Sequence, residues 1–267
     1  MMKKVNVITI KWGKKYSTED INKLASAIKR NSSYQIDFYC FTEYADGLSE
    51  DIIVWPLPRL NVCAAHLYAN YRKAAGLCDD NLGNLAGQRV FFFDIDSLIM
   101  GNLDELFDYP DGDKFYVIND WAHRTGKKAN KVGQASCYSW VVGTLGYIKD
   151  YYEAHAQEVI DKFGTATQQY VSAKIIEKDG SLNFWPEEWF KSFRFHCIPR
   201  PMLRWFVTPK IPQDKGLKMI AFHGYPNISD AIEGIWCSDK TDKKYPRGLK
   251  KLYKHIRPTL WIKEYWK

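Results

Sequence analysis

Asp94 and Asp96 stand two residues apart at the end of an apolar run that begins at Arg89, in RVFFFDID. Residues i and i+2 of an extended chain face the same side, so the two carboxylates are carried as a pair. At about 4–5 Å two such charges repel by roughly 3–4 kcal/mol at an effective dielectric near 20, and a divalent cation removes that cost. Hard oxygen ligands suit magnesium or manganese, and one imidazole in the set favours manganese. His223 offers that imidazole. It closes another apolar run, in MIAFHGYPN, and Gly224 after it lets backbone approach a ligand closely. The chain holds its own control, because Asp111 and Asp113 share the spacing but sit in YPDGDK, an ordinary turn.

The elements that must position these groups read as alternating strands and helices. KVNVITIKWG is β-branched and alternating, a first strand. STEDINKLASAIKR follows with Ser17 as N-cap and acids in the first turn, a helix. YQIDFYCFTE and DIIVWPLP read as strands, AAHLYANYRKAAGL as a helix stopped by Gly76, and QRVFFFDI as a strand buried on both faces, as in a parallel sheet. Further on, residues 114–120 and 136–145 read as strands, 150–164 and 167–180 as helices ended by Gly164 and Gly180, and 217–226 as a strand leading into a turn. NFWPEEWFKSFRFHCIPRP fits neither period. The order predicts an α/β fold: an open, mostly parallel, Rossmann-like sheet flanked by helices, with ligands bound outside the carboxyl ends of its strands. Asp94 and Asp96 fall at such an end.

The length, 267 residues, is within reach of one large catalytic domain, and no repeat or low-complexity linker interrupts it. Residues 1–237 are expected to form that domain, in two halves divided near residue 107, followed by a basic aromatic segment, 238–267. The apolar stretch after the basic start ends at Lys11, too short for a signal peptide, and no apolar run near 18 residues follows. That predicts a cytoplasmic chain. Six cysteines without CxxC spacing then read as buried, reduced thiols. Residues 239–267 hold ten Lys or Arg against three acids, so the whole net charge of +7 resides there.

VITIKWGKKY, RVFFFDIDSLIMGNLDELF, ASCYSW, FWPEEWFKSFRF and IAFHGYPN, in that order, resemble bacterial glycosyltransferases of the GT-A fold, close to the family-8-like sugar transferases that build capsule or lipopolysaccharide. The resemblance spans residues 5–232. It implies that Asp94, Asp96 and His223 hold Mn²⁺ or Mg²⁺ on the diphosphate of a nucleotide-sugar, usually UDP-linked. It further implies that Thr9, Lys11, Trp12 and Tyr16, in the first strand-to-helix loop, bind base and ribose, and that the enzyme is a retaining hexosyl- or N-acetylhexosaminyl-transferase. The chemistry suits the residues independently: a divalent ion stabilises the diphosphate anion as the sugar bond breaks. Arg72 and Lys73, or Lys191 and Arg194, are candidates for phosphate pairing. Asp120, Gln134 and Gln168 are candidates for the donor sugar, and Asp120, Glu187 or Glu188 for a base in an inverting reaction. Two positions depart from the family pattern: Tyr225 replaces a frequent Lys, and Thr167 an acid before Gln168.

In the tail, Leu249, Leu252, Tyr253 and Ile256 fall at helical spacing with Lys250, Lys251 and Lys254 toward the other face. Such a segment either lies on the anionic inner face of the cell membrane, where lipid-linked acceptors are found, or docks its apolar side on the domain. Two other classes stay open. A metal-dependent nucleotidyltransferase or phosphohydrolase also uses paired aspartates, but it would carry further acids or a glycine-rich phosphate loop. A polyanion-binding protein would act through the basic tail, but the balanced charge of residues 1–238 argues against nucleic acid as the partner.

Overall fold

The alternating run KVNVITIK forms β1 (Lys4–Lys11), and the following segment forms α1 (Thr18–Arg30). The computed structural model describes residues 3–67, 69–123, 125–242 and 245–267. Ser17 caps α1 reciprocally: its hydroxyl accepts from the Asp20 N–H at 3.2 Å, and Asp20 accepts from the Ser17 N–H at 2.8 Å. The chain continues through β2 (Gln35–Thr42), β3 (Ile52–Trp55), α2 (Ala69–Ala74), β4 (Arg89–Phe93), β5 (Ser97–Ile99), α3 (Asp104–Asp108), β6 (Tyr116–Asn119) and β7 (Gly133–Val141). Then follow α4 (Gly146–Ala154), α5 (Ala156–Phe163), α6 (Thr167–Asp179), β8 (Asn183–Phe184), β9 (Phe190–Ser192), β10 (Met219–Ala221), α7 (Ile228–Glu233) and α8 (Ile262–Tyr265).

Internal contacts group the chain into two compact units. The first comprises Met1–Asn22, Ser32–Ile95 and Asp104–Trp185; the second comprises Lys23–Asn31, Asp96–Leu103 and Pro186–Lys267. The first unit is mixed α/β, with a seven-stranded sheet in the order β3-β2-β1-β4-β7-β6-β8. β3, β2, β1 and β4 run parallel; β7 is antiparallel to both β4 and β6, and β8 pairs parallel with β6. The sheet is therefore mostly parallel and helix-flanked, compatible with a Rossmann-like arrangement.

β4 is buried on both faces, as its unbroken apolar run predicts, although only one of its neighbours is parallel. Val90 and Phe92 enter a core with Tyr71, Tyr138 and Trp140, while Phe91 meets Phe107 edge-on at 4.9 Å between ring centres. Each buried Phe contributes roughly 1.5–3 kcal/mol relative to exposure, which makes this strand a stiff platform.

Three sequence expectations are corrected here. The single helix over AAHLYANYRKAAGL is a 3₁₀ turn at Ala64–His66, then α2, then a second 3₁₀ turn at Gly76–Cys78; Tyr68 lies outside the described residues. Leu67 at its start is exposed whereas Tyr71, Ala74 and Ala75 are buried, so only the later part has a core face to hold a helix. The helix expected over 150–164 is divided at His155 into α4 and α5. No Gly or Pro marks the break: His155 leaves the helical region at φ −131° and ψ 32°, its ring stacks on Tyr151 at 4.4 Å, and its N–H still donates to the Tyr151 carbonyl at 2.9 Å. Finally, Cys63 is exposed, unlike the other five cysteines.

The second unit contains a three-stranded sheet in the order β5-β10-β9, with β10 antiparallel to β5 and parallel to β9. The segment that fitted neither period supplies β8, a 3₁₀ turn at Glu187–Trp189, β9 and a π-helical turn at Phe193–Cys197. Phe193 stacks on Phe222 at 4.3 Å and neighbours Trp261, whose indole N–H donates to the Pro209 carbonyl at 2.9 Å. In the tail, the expected helix is only a 3₁₀ turn at Gly248–Leu252. Ile256 is buried while Leu249, Leu252 and Tyr253 stay exposed, so the predicted apolar face is split. Lys243 and Lys244 lie outside the described residues. Among the described residues, no helix is long and apolar enough to cross a membrane.

Candidate active site

The parallel run β3-β2-β1-β4 places β2 on one side of β1 and β4 on the other, so the order reverses at β1. In open α/β sheets ligands bind at the carboxyl ends of the strands flanking such a reversal. β1 ends there in Lys11, followed by Trp12, and β4 ends in Phe93, followed by Asp94. Thr9 ties the two ends together: it is fully buried, and its hydroxyl donates to the Phe93 carbonyl at 2.9 Å. Lys11 is buried as well; its ammonium donates to the Gly13 carbonyl at 3.2 Å and lies 4.9 Å from the centre of the Tyr44 ring. Trp12 packs, partly buried, against the core of the sheet. The Tyr16 ring sits 4.6 Å from the Lys15 ammonium.

β4 stops at Phe93, so Asp94 and Asp96 lie in the turn beyond the strand. Two groups hold Asp94. Its N–H donates to the Ser136 carbonyl at 2.9 Å, and both its carboxylate oxygens accept from the Lys73 ammonium at 2.6 Å. That ammonium also donates to the Ala135 carbonyl at 2.8 Å and lies 4.7 Å from the centre of the Phe92 ring. Ala135 and Ser136 can reach these partners because the β6–β7 pairing slips: Val117 pairs with Tyr138 but Ile118 with Gln134. The surplus residues of β7 form a bulge aimed at the end of β4, the kind of irregularity that redirects chain beside functional sites. Gln134, paired with Ile118, borders this bulge. It is buried, donates to the Ser136 hydroxyl at 2.8 Å and accepts from the Ser136 N–H at 3.0 Å.

Asp120, just past β6, meets Gln168 of α6: the amide donates to the carboxylate at 3.4 Å. Two candidates 48 positions apart in sequence thus come together. Asp120 is buried, accepts from the Ala122 N–H at 3.2 Å, and pairs with His123 Nδ1 at 2.5 Å. The Ser172 hydroxyl donates to the Gln168 carbonyl at 2.7 Å and accepts from the Gly133 N–H at 2.9 Å, locking α6 to the start of β7. Arg72 is half-buried in the last turn of α2.

The chain leaves the first unit between the two aspartates: Asp96 and His223 both belong to the second. There the Phe222 N–H donates to the Asp96 carbonyl at 3.1 Å, which fixes the backbone before His223. The Ser192 hydroxyl bonds His223 Nε2 at 2.7 Å, and the Phe195 ring lies 5.7 Å away, so the imidazole is oriented from two sides. Gly224 has φ +84°, and a Cβ there would meet nothing within 4 Å, so backbone conformation rather than crowding calls for glycine. Arg194 is exposed beside Phe195, and Lys191 pairs with Asp214 at 2.8 Å. Glu187 and Glu188 lie in a 3₁₀ turn. Tyr225, which replaces the expected lysine, donates to Asp242 at 2.9 Å; burial, and then that bond, push its hydroxyl upward. Asp111, the control aspartate, is exposed and paired with Lys114 at 2.9 Å.

Among the described residues, no three or more His, Cys, Asp or Glu side chains form a group able to hold a metal. The donor types nonetheless suit a hard divalent ion, and the Lys73 ammonium across both oxygens of Asp94 marks that carboxylate as a seat for positive charge. Sequence reasoning missed the Lys73–Asp94 pair, the bulge and His123. A lysine 21 positions from an aspartate and a histidine three after one carry no periodic signal. No family model matches the chain, and no curated protein is significantly similar to it.

Proposed function

We propose that this chain is a metal-dependent glycosyltransferase of the GT-A type, family-8-like, which moves a hexosyl or N-acetylhexosaminyl group from a UDP-sugar to a saccharide or lipid-linked acceptor. The setting is bacterial surface polysaccharide synthesis on the cytoplasmic side of the membrane. The observation that carries the reading is the placement of Asp94 immediately beyond β4, beside β1, where the strand order of a parallel sheet reverses. Asp94, Asp96 and His223 would hold Mn²⁺ or Mg²⁺, which would supply a Lewis acid for the departing diphosphate. The chain's own part is positional. Thr9 fixes the end of β4 against β1, and Lys14 and Lys15, exposed in the loop after β1, offer charge to phosphate oxygens. Asp120, with its carboxylate shared among Gln168 and His123, offers a rigid acceptor for sugar hydroxyls.

The test is release of free nucleotide from a panel of nucleotide-sugars with and without Mn²⁺. The expected result is metal-dependent release from a UDP-sugar, abolished by Asp94→Asn and Asp96→Asn with the fold intact and little changed by Asp111→Asn. Equal activity in all three variants overturns the assignment. Metal-dependent hydrolysis of nucleotides without sugar transfer moves the reading to a nucleotidyltransferase or phosphohydrolase.

A further inference from the structure

We infer that the second unit carries a docking surface for an anionic lipid bilayer, built jointly from the turn 201–206 and the tail segment 247–257. Two sets of large apolar side chains stand out in solvent. In the turn PMLRWF, Met202 is 87% exposed and Phe206 78%; in the tail, Leu249 is 80% exposed and Leu252 60%. Folding normally hides side chains of this size, and a group of them left outside marks an interaction surface.

The two segments are fastened to one another. The Arg204 guanidinium donates to the Pro199 carbonyl at 2.9 Å and to the Tyr253 carbonyl. Trp205 lies ring to ring with His255, 3.7 Å between centres. Arg257 donates to the Phe206 carbonyl at 3.3 Å. Arg204 and Arg257 thus hold turn and tail together, and Lys250 and Lys251, both exposed, stand as cations among the apolar groups.

Charge decides the occupant. Residues 189–213 contain five Lys or Arg and no Asp or Glu, and residues 243–263 contain eight Lys or Arg and no acid, while the rest of the chain holds 25 Lys or Arg against 31 Asp or Glu, so the excess of positive charge is concentrated in these two stretches. Protruding Met, Phe, Trp and Leu side chains within a one-signed cationic field suit an anionic bilayer: apolar groups enter the acyl boundary, Trp205 and Tyr253 sit at headgroup level, and lysines meet anionic lipid. The tail's basic residues alone suggest only adsorption. The 201–206 turn, which carries no amphipathic periodicity, adds the inserting part.

This inference bears on the proposed transferase because a lipid-linked acceptor lies at such a surface, but vesicle binding is read without any nucleotide-sugar, so either reading can fail alone. The experiment is co-sedimentation of the full chain with phosphatidylcholine vesicles and with vesicles containing about 30% phosphatidylglycerol, across a salt series. The expected result is recovery with the anionic vesicles only, falling with salt. Met202→Ser/Phe206→Ser should weaken binding about tenfold or more, and Lys250→Glu/Lys251→Glu should weaken it and flatten the salt dependence. All four positions are solvent-exposed, and unchanged circular dichroism melts confirm that the variants fold. Equal recovery in the supernatant with both vesicle types overturns the proposal, as does unchanged binding by Met202→Ser/Phe206→Ser. A lipid-free dimer in sedimentation equilibrium that this variant dissolves, without vesicle binding by the parent chain, assigns the surface to a second copy and also overturns it.

Discussion

Lys73 and Asp94 form the ion pair on which the candidate site turns, and its strength is measurable without knowing the reaction. At 2.6 Å the gross attraction is about 6 kcal/mol at an effective dielectric near 20. The side chains are 17% and 29% exposed, so water screens part of this, and desolvating both charges offsets more. What remains is a coupling of about 1–3 kcal/mol, which Lys73→Met, Asp94→Asn and their combination should reveal. Met keeps the apolar stem over Phe92 and removes the charge. The Lys73→Met protein should lose most stability, because it leaves the Asp94 carboxylate and the Ala135 carbonyl without their shared donor. The double variant should lose less than the two single losses combined. Urea denaturation of the four proteins, followed by tryptophan fluorescence, gives the cycle. Additivity within about 0.5 kcal/mol refutes the pair as an energetic unit. A second arm addresses function. If a divalent ion uses Asp94, it shares that carboxylate with an ammonium in the parent chain and has it alone in Lys73→Met. Mn²⁺ should then raise the melting temperature of the variant more than that of the parent; equal shifts place the ion's ligands away from Asp94.

Two further outcomes follow from the first unit. Phe92 is fully buried and stacked on Tyr138 at 4.6 Å, so Phe92→Ala should cost about 3–5 kcal/mol in the same denaturation assay. A loss under about 1 kcal/mol would mean that β4 is not the packed platform described. Burial alone would raise the Asp79 carboxyl, but the Lys149 ammonium at 2.6 Å and the Asn81 N–H hold it below the ordinary range. A depressed folded-state value stabilises above the unfolded value near 3.9, and that stability is lost as pH falls through the folded value. Melting temperature should therefore drop less steeply below about pH 4 in Asp79→Asn than in the parent, with a lower plateau at neutral pH. Parallel acid limbs would refute the linkage.

How much of this was legible in the sequence depended on whether the signal was local. β1, β4 and α6 were readable because β-branched alternation, an unbroken apolar run and a glycine stop are written in consecutive residues. Gly180 ends α6 in the left-handed region at φ 80°, as its type predicts. The break at His155 was not readable, because the backbone leaves the helical region there, at φ −131° and ψ 32°, without a Gly or Pro to announce it. β10 lies inside the strand expected over 217–226, but β5 and β9 are too brief to show a period, and only their pairing with β10 defines them. The same division holds within the candidate site. Asp94 could be picked out from Asp111 by the apolar strand before it, but its holders come from α2 and from a bulge in β7, through tertiary contacts that spacing does not encode. A pattern search finds the carboxylate and misses the lysine because the carboxylate's position follows from the strand, whereas the lysine's follows from the fold. The placement of the Asp94 carboxylate thus depends on residues its motif does not contain, and substitutions at Lys73 or in Ala135–Ser136 should disturb that placement.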